Sequence, residues 1–346
     1  MPLLERDTLV LVTAASSYTG ANIVLALLSE GYKVRAAVRT EPKADALKQQ
    51  LQRAAGDRIS ALSFTLVGDG ALHGAYDEAC RGVSGIIHVA APLPFPCENI
   101  GEKILQKGVD MVLSVLASST KARTVKRVVL TGSADSLFDW GKGLFHDHTY
   151  NGSEWTPSTW EEAEKGQTFL DILPAAKKYS EKAAWEYVQN NKEAIAYDLI
   201  SILPTVTLGP YAGDIHSIKE IGGSAFFVVY KAQKSQTDDE MGPTIIPHAV
   251  DVRDVALAHV RALERGQGGK RYIISAECFD NDQILHTLAD KGVLKRKVEA
   301  EKVHASSKGY FQLDSSDGVR DLHLTYRKLD ETLMDTVRQF EQLKDK

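Results

Sequence analysis

The sequence predicts an α/β protein built on a doubly wound parallel sheet, with a smaller C-terminal lobe for substrate. Three observations carry that expectation. Short apolar runs, too short for helices, alternate with segments of helical periodicity as far as residue 204. The first such segments close a βαβ unit of dinucleotide-binding length. The chain has 346 residues, 43% apolar and 25% charged, which suits two small domains or one large α/β domain with a further lobe.

Thr8 to Thr13 is a run of apolar and β-branched residues that reads as a buried parallel strand. After the turn Ala14–Gly20, Ile23, Val24, Leu27 and Leu28 recur at helical spacing, and Gly31 is placed to end that helix. Lys33–Val38 is the second strand. The helix N-terminus between the two strands suits a pyrophosphate, because its free N–H groups and its dipole both favour an anion. Such a turn ordinarily carries glycine where the backbone bends sharply and where it touches phosphate. At the spacing G-x-x-G-x-x-G the three positions are Ala14, Ser17 and Gly20, so only the last is kept. The two losses weaken a nucleotide site without forbidding it. Ala14 strains the turn by roughly 1 kcal/mol if its φ is positive, and Ser17 puts a side chain where backbone should approach phosphate.

Arg39-Thr-Glu-Pro-Lys43 leads into a helix reaching about Ala55, and Leu62–Val67 is the third strand, ending in Gly68-Asp69. A short helix is expected over Tyr76–Cys80, then a fourth strand over Gly85–Ala91, stopped by Pro92. Gly101–Ser119 carries Ile104, Leu105, Val109, Val112, Leu113 and Leu116 on one side of a long helix, and Val125–Thr131 is the fifth strand. Residues 134–165 form a loop rich in Gly, His, Asp and Trp, long enough to be functional. A helix from about Pro174 to Asn190 precedes the sixth strand, Tyr197–Leu203. Residues 1–204 are therefore expected to be the core, and 205–346 mostly the lobe, with segments returning to the core.

A net charge of −5 and a pI near 6.1 argue against a nucleic-acid or anionic-membrane partner. Cys80, Cys97 and Cys278 are odd in number and scattered, which supports neither a disulfide framework nor a zinc site. His146-Asp147-His148 lacks a partner motif, so no metal is expected there. The start Met-Pro-Leu-Leu-Glu-Arg-Asp has no apolar signal core, and no long apolar run occurs, so a cytoplasmic, soluble chain is expected.

Several segments are more specific. Gly31-Tyr-Lys-Val-Arg35 with Val38-Arg39, Asp69 with Gly74-Ala-Tyr-Asp-Glu78, His88-Val-Ala-Ala-Pro92, and Leu203-Pro-Thr-Val-Thr-Leu-Gly-Pro210 recur in order. Val250–His259 and Leu324–Leu333 follow in the lobe and tail. Together they resemble the extended short-chain dehydrogenases/reductases, within them the plant and fungal group of dihydroflavonol reductases, cinnamoyl-CoA reductases and yeast-type aldehyde/ketone reductases. The resemblance covers nearly the whole chain and implies a Rossmann-type fold that binds NADP(H). It implies cofactor contacts from Ala14, Ser17, Tyr18, Gly20, Arg39, Lys43, Asp69, Ala90 and Pro204, with Arg39 at the 2′-phosphate. No acidic residue ends strand two, and Arg39 with Lys43 offers a charge-assisted fork, so NADP(H) is expected over NAD(H).

The chemistry of that family uses a tyrosine four residues before a lysine, on one helix face, as the proton donor, and a serine that binds the substrate oxygen. Its pattern falls on Leu173-Pro-Ala-Ala-Lys177, anchored by Glu181-Lys-Ala-Ala-Trp185. The resemblance therefore implies Ser133 and Lys177 as catalytic residues, while Leu173 stands at the tyrosine position and Met111 at that of a helix asparagine. A leucine cannot donate a proton. The expected function is an enzyme acting on a small carbonyl compound by redeployed chemistry (isomerisation, dehydration or cyclisation) with Ser133 and Lys177 polarising the carbonyl. One alternative is an NADPH-dependent aldehyde/ketone reductase with a surrogate acid among His146, Asp147 and Tyr150. Another is a non-catalytic NADP(H) sensor or binding protein. A monomer or homodimer fits either.

Overall fold

A computed structural model describes residues 3–92, 101–216, 223–299 and 308–343. Seven parallel strands form the central sheet: β1 (Leu9–Val12), β2 (Lys33–Val38), β3 (Leu62–Leu66), β4 (Gly85–His88), β5 (Arg127–Thr131), β6 (Asp198–Pro204) and β7 (Arg271–Ile274). Their spatial order is β7-β6-β5-β4-β1-β2-β3, so the winding reverses between β1 and β4. Ligands bind at that reversal in open α/β sheets. In register, Val10 of β1 lies between Val34 of β2 and Gly85 of β4.

Alternation along each strand assigns its side chains to two layers. Val10, Val12, Ile87, Val129 and Ile200 point to one face, covered by helices α1 (Tyr18–Ser29) and α2 (Glu41–Ala55) and a later helix. Leu11, Ile86, Val128, Leu130 and Leu199 point to the other, covered by α3 (Gly101–Ala122) and α4 (Phe169–Asn190). That later helix, α5 (Val252–Arg265), and β7 both come from beyond residue 204 and complete the sheet and its first face. Leu208, Val229, Ile284, Leu288, Leu333 and Phe340 build a separate apolar core in the C-terminal part. A small sheet of Val206–Leu208, His248–Asp251 and Glu277–Cys278 adjoins that core.

Two glycine-motif positions explain how β1 meets α1. A Cβ on Gly20 would lie 2.3 Å from the Ala14 carbonyl oxygen, so no larger residue fits there. Ala14 adopts φ +47, the conformation that glycine ordinarily supplies, and carries the expected strain.

Local chemistry moves several expected boundaries. β4 stops at His88 because the next two amides, Val89 N and Ala90 N, each donate to Thr13 Oγ1 at 3.0 Å instead of to a strand. The helix expected over Tyr76–Cys80 is a series of turns, since Gly74 and Gly82, at φ +77 and +69, leave too few residues to nucleate one. α4 begins at Phe169, not at Pro174. A capping box closes its end, with the Thr168 amide donating to Asp171 Oδ2 at 2.8 Å, so Pro174 lies inside the helix. The loop 134–165 contains a two-residue strand, Thr149–Tyr150, paired with Gln312–Leu313, and a short helix, Trp160–Glu164. Cys97 lies outside the described residues, while Cys80 and Cys278 are free thiols. Among the described residues no His/Cys/Asp/Glu group could hold a metal, and no helix is long and apolar enough to cross a membrane.

Thr13 also shares a 3.0 Å hydrogen bond with His88 Nδ1, so one hydroxyl serves three polar groups. Thr13→Val should lower unfolding stability by about 2 kcal/mol, because it strands those groups. Urea unfolding with an unchanged slope would measure it, and an unaltered midpoint would contradict the assignment.

Candidate active site

At the sheet's reversal lies a groove of about 600 Å³. Six of the residues implicated by the sequence line it: Ala14, Ser17, Arg39, Lys43, Asp69 and Ala90. Ser17 caps α1, its Oγ accepting from Gly20 N at 3.1 Å, so its side chain folds back onto the helix end. The amides of Ser16, Tyr18 and Thr19 donate to no described residue and remain available to an anion. Arg39 and Lys43 are exposed, and their side chains form no ion pair or hydrogen bond with a described residue. Asp69 accepts from Ala71 N at 3.1 Å and from Lys107 Nζ at 3.2 Å, and both bonds hold its carboxyl below the usual range. These residues fit a phosphorylated dinucleotide: an anion-ready helix end, two free cations, and space between them.

Three of the implicated residues sit elsewhere. Gly20 is buried under the turn. Tyr18 turns away, its hydroxyl donating to the Gly209 carbonyl at 2.7 Å and its ring lying 4.6 Å from that of Tyr211. Pro204 ends β6, paired with Ile274 of β7. Tyr76, from the Gly74–Glu78 segment, and Met111 also line the groove, as does Lys107, which the residue patterns passed over.

Ser133 leaves the end of β5 and Lys177 lies on α4, one turn beyond buried Leu173. Between them is a residue that sequence reasoning missed. Asp135 is 7% exposed, and Ser133 Oγ donates to its Oδ2 at 2.6 Å. Burial raises its pKa, against the opposing pull of the Ser133 hydroxyl and the Lys177 charge. Desolvation lowers that of Lys177, with Asp135 and Glu181 acting in the other direction. The Lys177 ammonium donates no hydrogen bond to a described residue. The available signal for Asp135 was an acid two residues past the serine at a strand end, where burial forces a carboxyl to find a partner or keep its proton.

The site is braced by Arg271 of β7. Its guanidinium donates to Glu181 of α4 at 2.8 and 3.0 Å, to Ser136 Oγ at 3.0 Å, and to the Gly152 and Glu154 carbonyls at 2.9 and 2.6 Å. It also lies 3.6 Å over the Trp155 ring. One cation thus ties the segment after Ser133, the far part of the loop and the helix of Lys177 into one frame.

The sequence-named acids of the loop are placed apart from this cluster. Tyr150 is buried among Phe138, His146, His148 and Phe311, and its oxygen accepts from Asp139 N at 3.0 Å. His146 stacks on Phe311 at 5.5 Å, with both ring nitrogens unpartnered among the described residues, and Asp147 is exposed. Among the described residues, none hydrogen-bonds to Ser133 or Lys177.

A doubly wound sheet with a groove at its reversal, and with Ser133 after β5 and Lys177 on α4, defines a Rossmann-type α/β class of protein. The chain belongs to the NAD dependent epimerase/dehydratase family, the extended short-chain dehydrogenases/reductases, whose profile matches residues 10–161. It is 30% identical to the ketoreductase azaE of Aspergillus niger over 95% of this chain and 96% of that one. It is 29% identical to the NADPH-dependent methylglyoxal reductase GRE2 of Saccharomyces cerevisiae over 95% of this chain and 97% of that one. The crystal structure of yeast methylglyoxal/isovaleraldehyde reductase Gre2 complexed with NADPH superposes with a TM-score of 0.88 at 28% identity, covering 98% of this chain and 99% of that one.

Three buried histidines give the molecule a pH signature. Desolvation, with help from the Lys177 charge, pushes His88 down to about 3. Desolvation pushes His248 and His259 down to about 4, against their bonds to the Phe311 and Val255 carbonyls. Each imidazole takes up a proton in the unfolded chain below the ordinary value of 6.5 but not in the folded one. Their contribution is therefore complete above that pH and is lost toward pH 4, by up to ~1.4 kcal/mol per pH unit for each. Urea midpoints should fall steadily from about pH 6.5 to about 4.5; a flat profile would contradict the burial of these rings as neutral groups.

Proposed function

We propose that this protein is an NADPH-dependent reductase of small aldehydes or ketones. The observation that carries the reading is the groove itself, with free amides at the α1 end and two unpaired cations on its wall. Likeness over nearly the full chain to NADPH-dependent and ketone-reducing relatives supports it. NADPH supplies the hydride when bound. Arg39 and Lys43 hold the 2′-phosphate, and the amides at the α1 N-terminus hold the pyrophosphate. Ser133 orients the substrate oxygen, and Lys177, with its ammonium partly freed by the absence of a phenol, adds positive potential there. Residues beyond 204 outside the sheet, with the 134–165 loop, form the substrate side.

Leu173 supports a second reading, in which the same cleft isomerises, dehydrates or cyclises a carbonyl compound without net reduction. Turnover in the absence of nucleotide distinguishes the two.

By calorimetry NADPH should bind more tightly than NADH, and Arg39→Ala should erase most of that preference. Ser17→Gly should tighten NADPH binding at a stability cost of only a few tenths of a kcal/mol, because glycine is a tolerable N-cap. Tighter binding of NADH by the unmodified chain would refute the assignment.

Leu173→Tyr restores a general acid worth roughly 10²–10⁴-fold in related chemistry. It should fold normally and raise NADPH-dependent reduction of simple carbonyl compounds, read by NADPH absorbance. If the unmodified protein already works at the rate of the variant, the leucine costs nothing and another acid is fully adequate.

A further inference from the structure

We propose that Asp135 is the proton source of this site, delivering its proton to the substrate oxygen through Ser133 in place of the phenol that Leu173 removes. This rests on the reductase reading above. The argument begins with the other buried acids. Asp251 faces Arg253 at 2.7 Å, Glu264 faces Arg261 at 2.6 Å, Glu181 faces Arg271 at 2.8 Å, and Asp280 faces Lys308 at 3.0 Å. Asp254 is paired with Arg327. Asp135 alone among the buried acids of the described residues has no ion pair. Its Oδ1 is buried with no hydrogen-bond partner among the described residues. A buried carboxyl without a contact cation keeps its proton more readily than one in water.

Its position suits delivery. Asp135 Oδ2 is 2.6 Å from Ser133 Oγ. With the carboxyl ionised, the serine hydroxyl donates to it. With the carboxyl protonated, the bond reverses, Oδ2–H donating to Oγ, and the serine proton is free to face a substrate. Reduction then balances in one pass. The carbonyl carbon gains a hydride from NADPH, and the π pair collects on oxygen. Oxygen takes the Ser133 proton, Ser133 takes the Asp135 proton, and water reprotonates the carboxylate. One NADPH and one proton are consumed for each alcohol formed. Among the described residues the charge that acts on the acid is Lys177 of α4, which in turn feels Glu181 of the same helix and lowers buried His88 of β4, while Arg271 of β7 holds neighbouring Ser136. Arg271 is neutralised by Glu181, which leaves Lys177 as the field acting on Asp135.

The test is Asp135→Asn, which keeps shape and an acceptor for Ser133 while removing the acid. The variant should keep its circular dichroism and its NADPH affinity by calorimetry, yet lose reduction by roughly 10²–10⁴-fold. Leu173→Tyr added to the same chain should restore it. The rate of the unmodified enzyme should fall as rising pH strips the acid, and that limb should vanish in the asparagine variant. Independently of turnover, the infrared difference between the two proteins at neutral pH should contain a protonated-carboxyl band. Full reduction by Asp135→Asn, or absence of that band, would overturn the role of Asp135 and leave the reductase reading standing. If the unmodified protein reduces no carbonyl compound, the reductase reading and the delivery step fail together, and the band then reports only a retained proton.

Discussion

The arrangement depends on one hydroxyl. Thr13, at the end of β1, takes the two amides that follow β4 and bonds the imidazole of His88. Those bonds end the pairing of β1 with β4 where the sheet's winding reverses. Past that point the two chains must diverge, one into the turn toward α1 and the other toward Ala90, and the groove opens between them. The satisfied amides also explain why backbone leaving a buried strand can line a cleft without a polar penalty. The cleft is thus a product of strand termination, and the phosphate-facing glycines are a refinement of it. Ala14 and Ser17 alter the floor of the groove while the walls stand.

Much of this was legible in the residues. Apolar runs and helical spacing located β1 through β6 and α1 through α4, because strands buried on both faces have no polar alternation to confuse them. Boundaries were less legible where a side chain replaced a backbone partner. Val89–Ala91 continues the apolar run of β4, but the Val89 and Ala90 amides bond sideways to Thr13, and Pro174 looks like a helix start although Thr168 and Asp171 begin the helix earlier. β7 and α5 were the hardest to assign, since a strand that joins the sheet from beyond residue 204 leaves no local trace of its neighbour. In the site, residues belonging to a linear pattern could be named from the sequence: Arg39 and Asp69, which line the groove, and Ser133 and Lys177. Asp135 could not, because its significance is a buried carboxyl with no ion-pair partner among the described residues, which is a property of three-dimensional surroundings. Tyr18 shows the converse: it follows the motif in sequence, yet its ring is drawn to Tyr211.

The electrostatics of the site are those of an interior that tolerates charge only in pairs. Arg271 and Glu181 satisfy one another and several carbonyls, making a rigid polar strut rather than a reactive group. Lys177 and Asp135 are left incompletely matched, each biased by burial toward its neutral form. Removing a phenol from such a place does not simply delete a function. It shifts the local balance between an ammonium and a carboxyl that share one low-dielectric space.

The late arrival of β7 bears on how the chain is made. During synthesis, β1 through β6 emerge before Arg271–Ile274, so the β6 edge at Ser201–Pro204, with Ile202 and Leu203, stays unpaired while some seventy further residues are added. An open apolar edge of that kind is a template for pairing with another nascent chain. Glu181 waits over the same interval for Arg271, an uncompensated acid within the forming core. The N-terminal part is therefore held short of its native state by both an edge and a charge. The same peptide segment relieves both, which makes closure of the sheet and neutralisation of the interior a single late event on the ribosome.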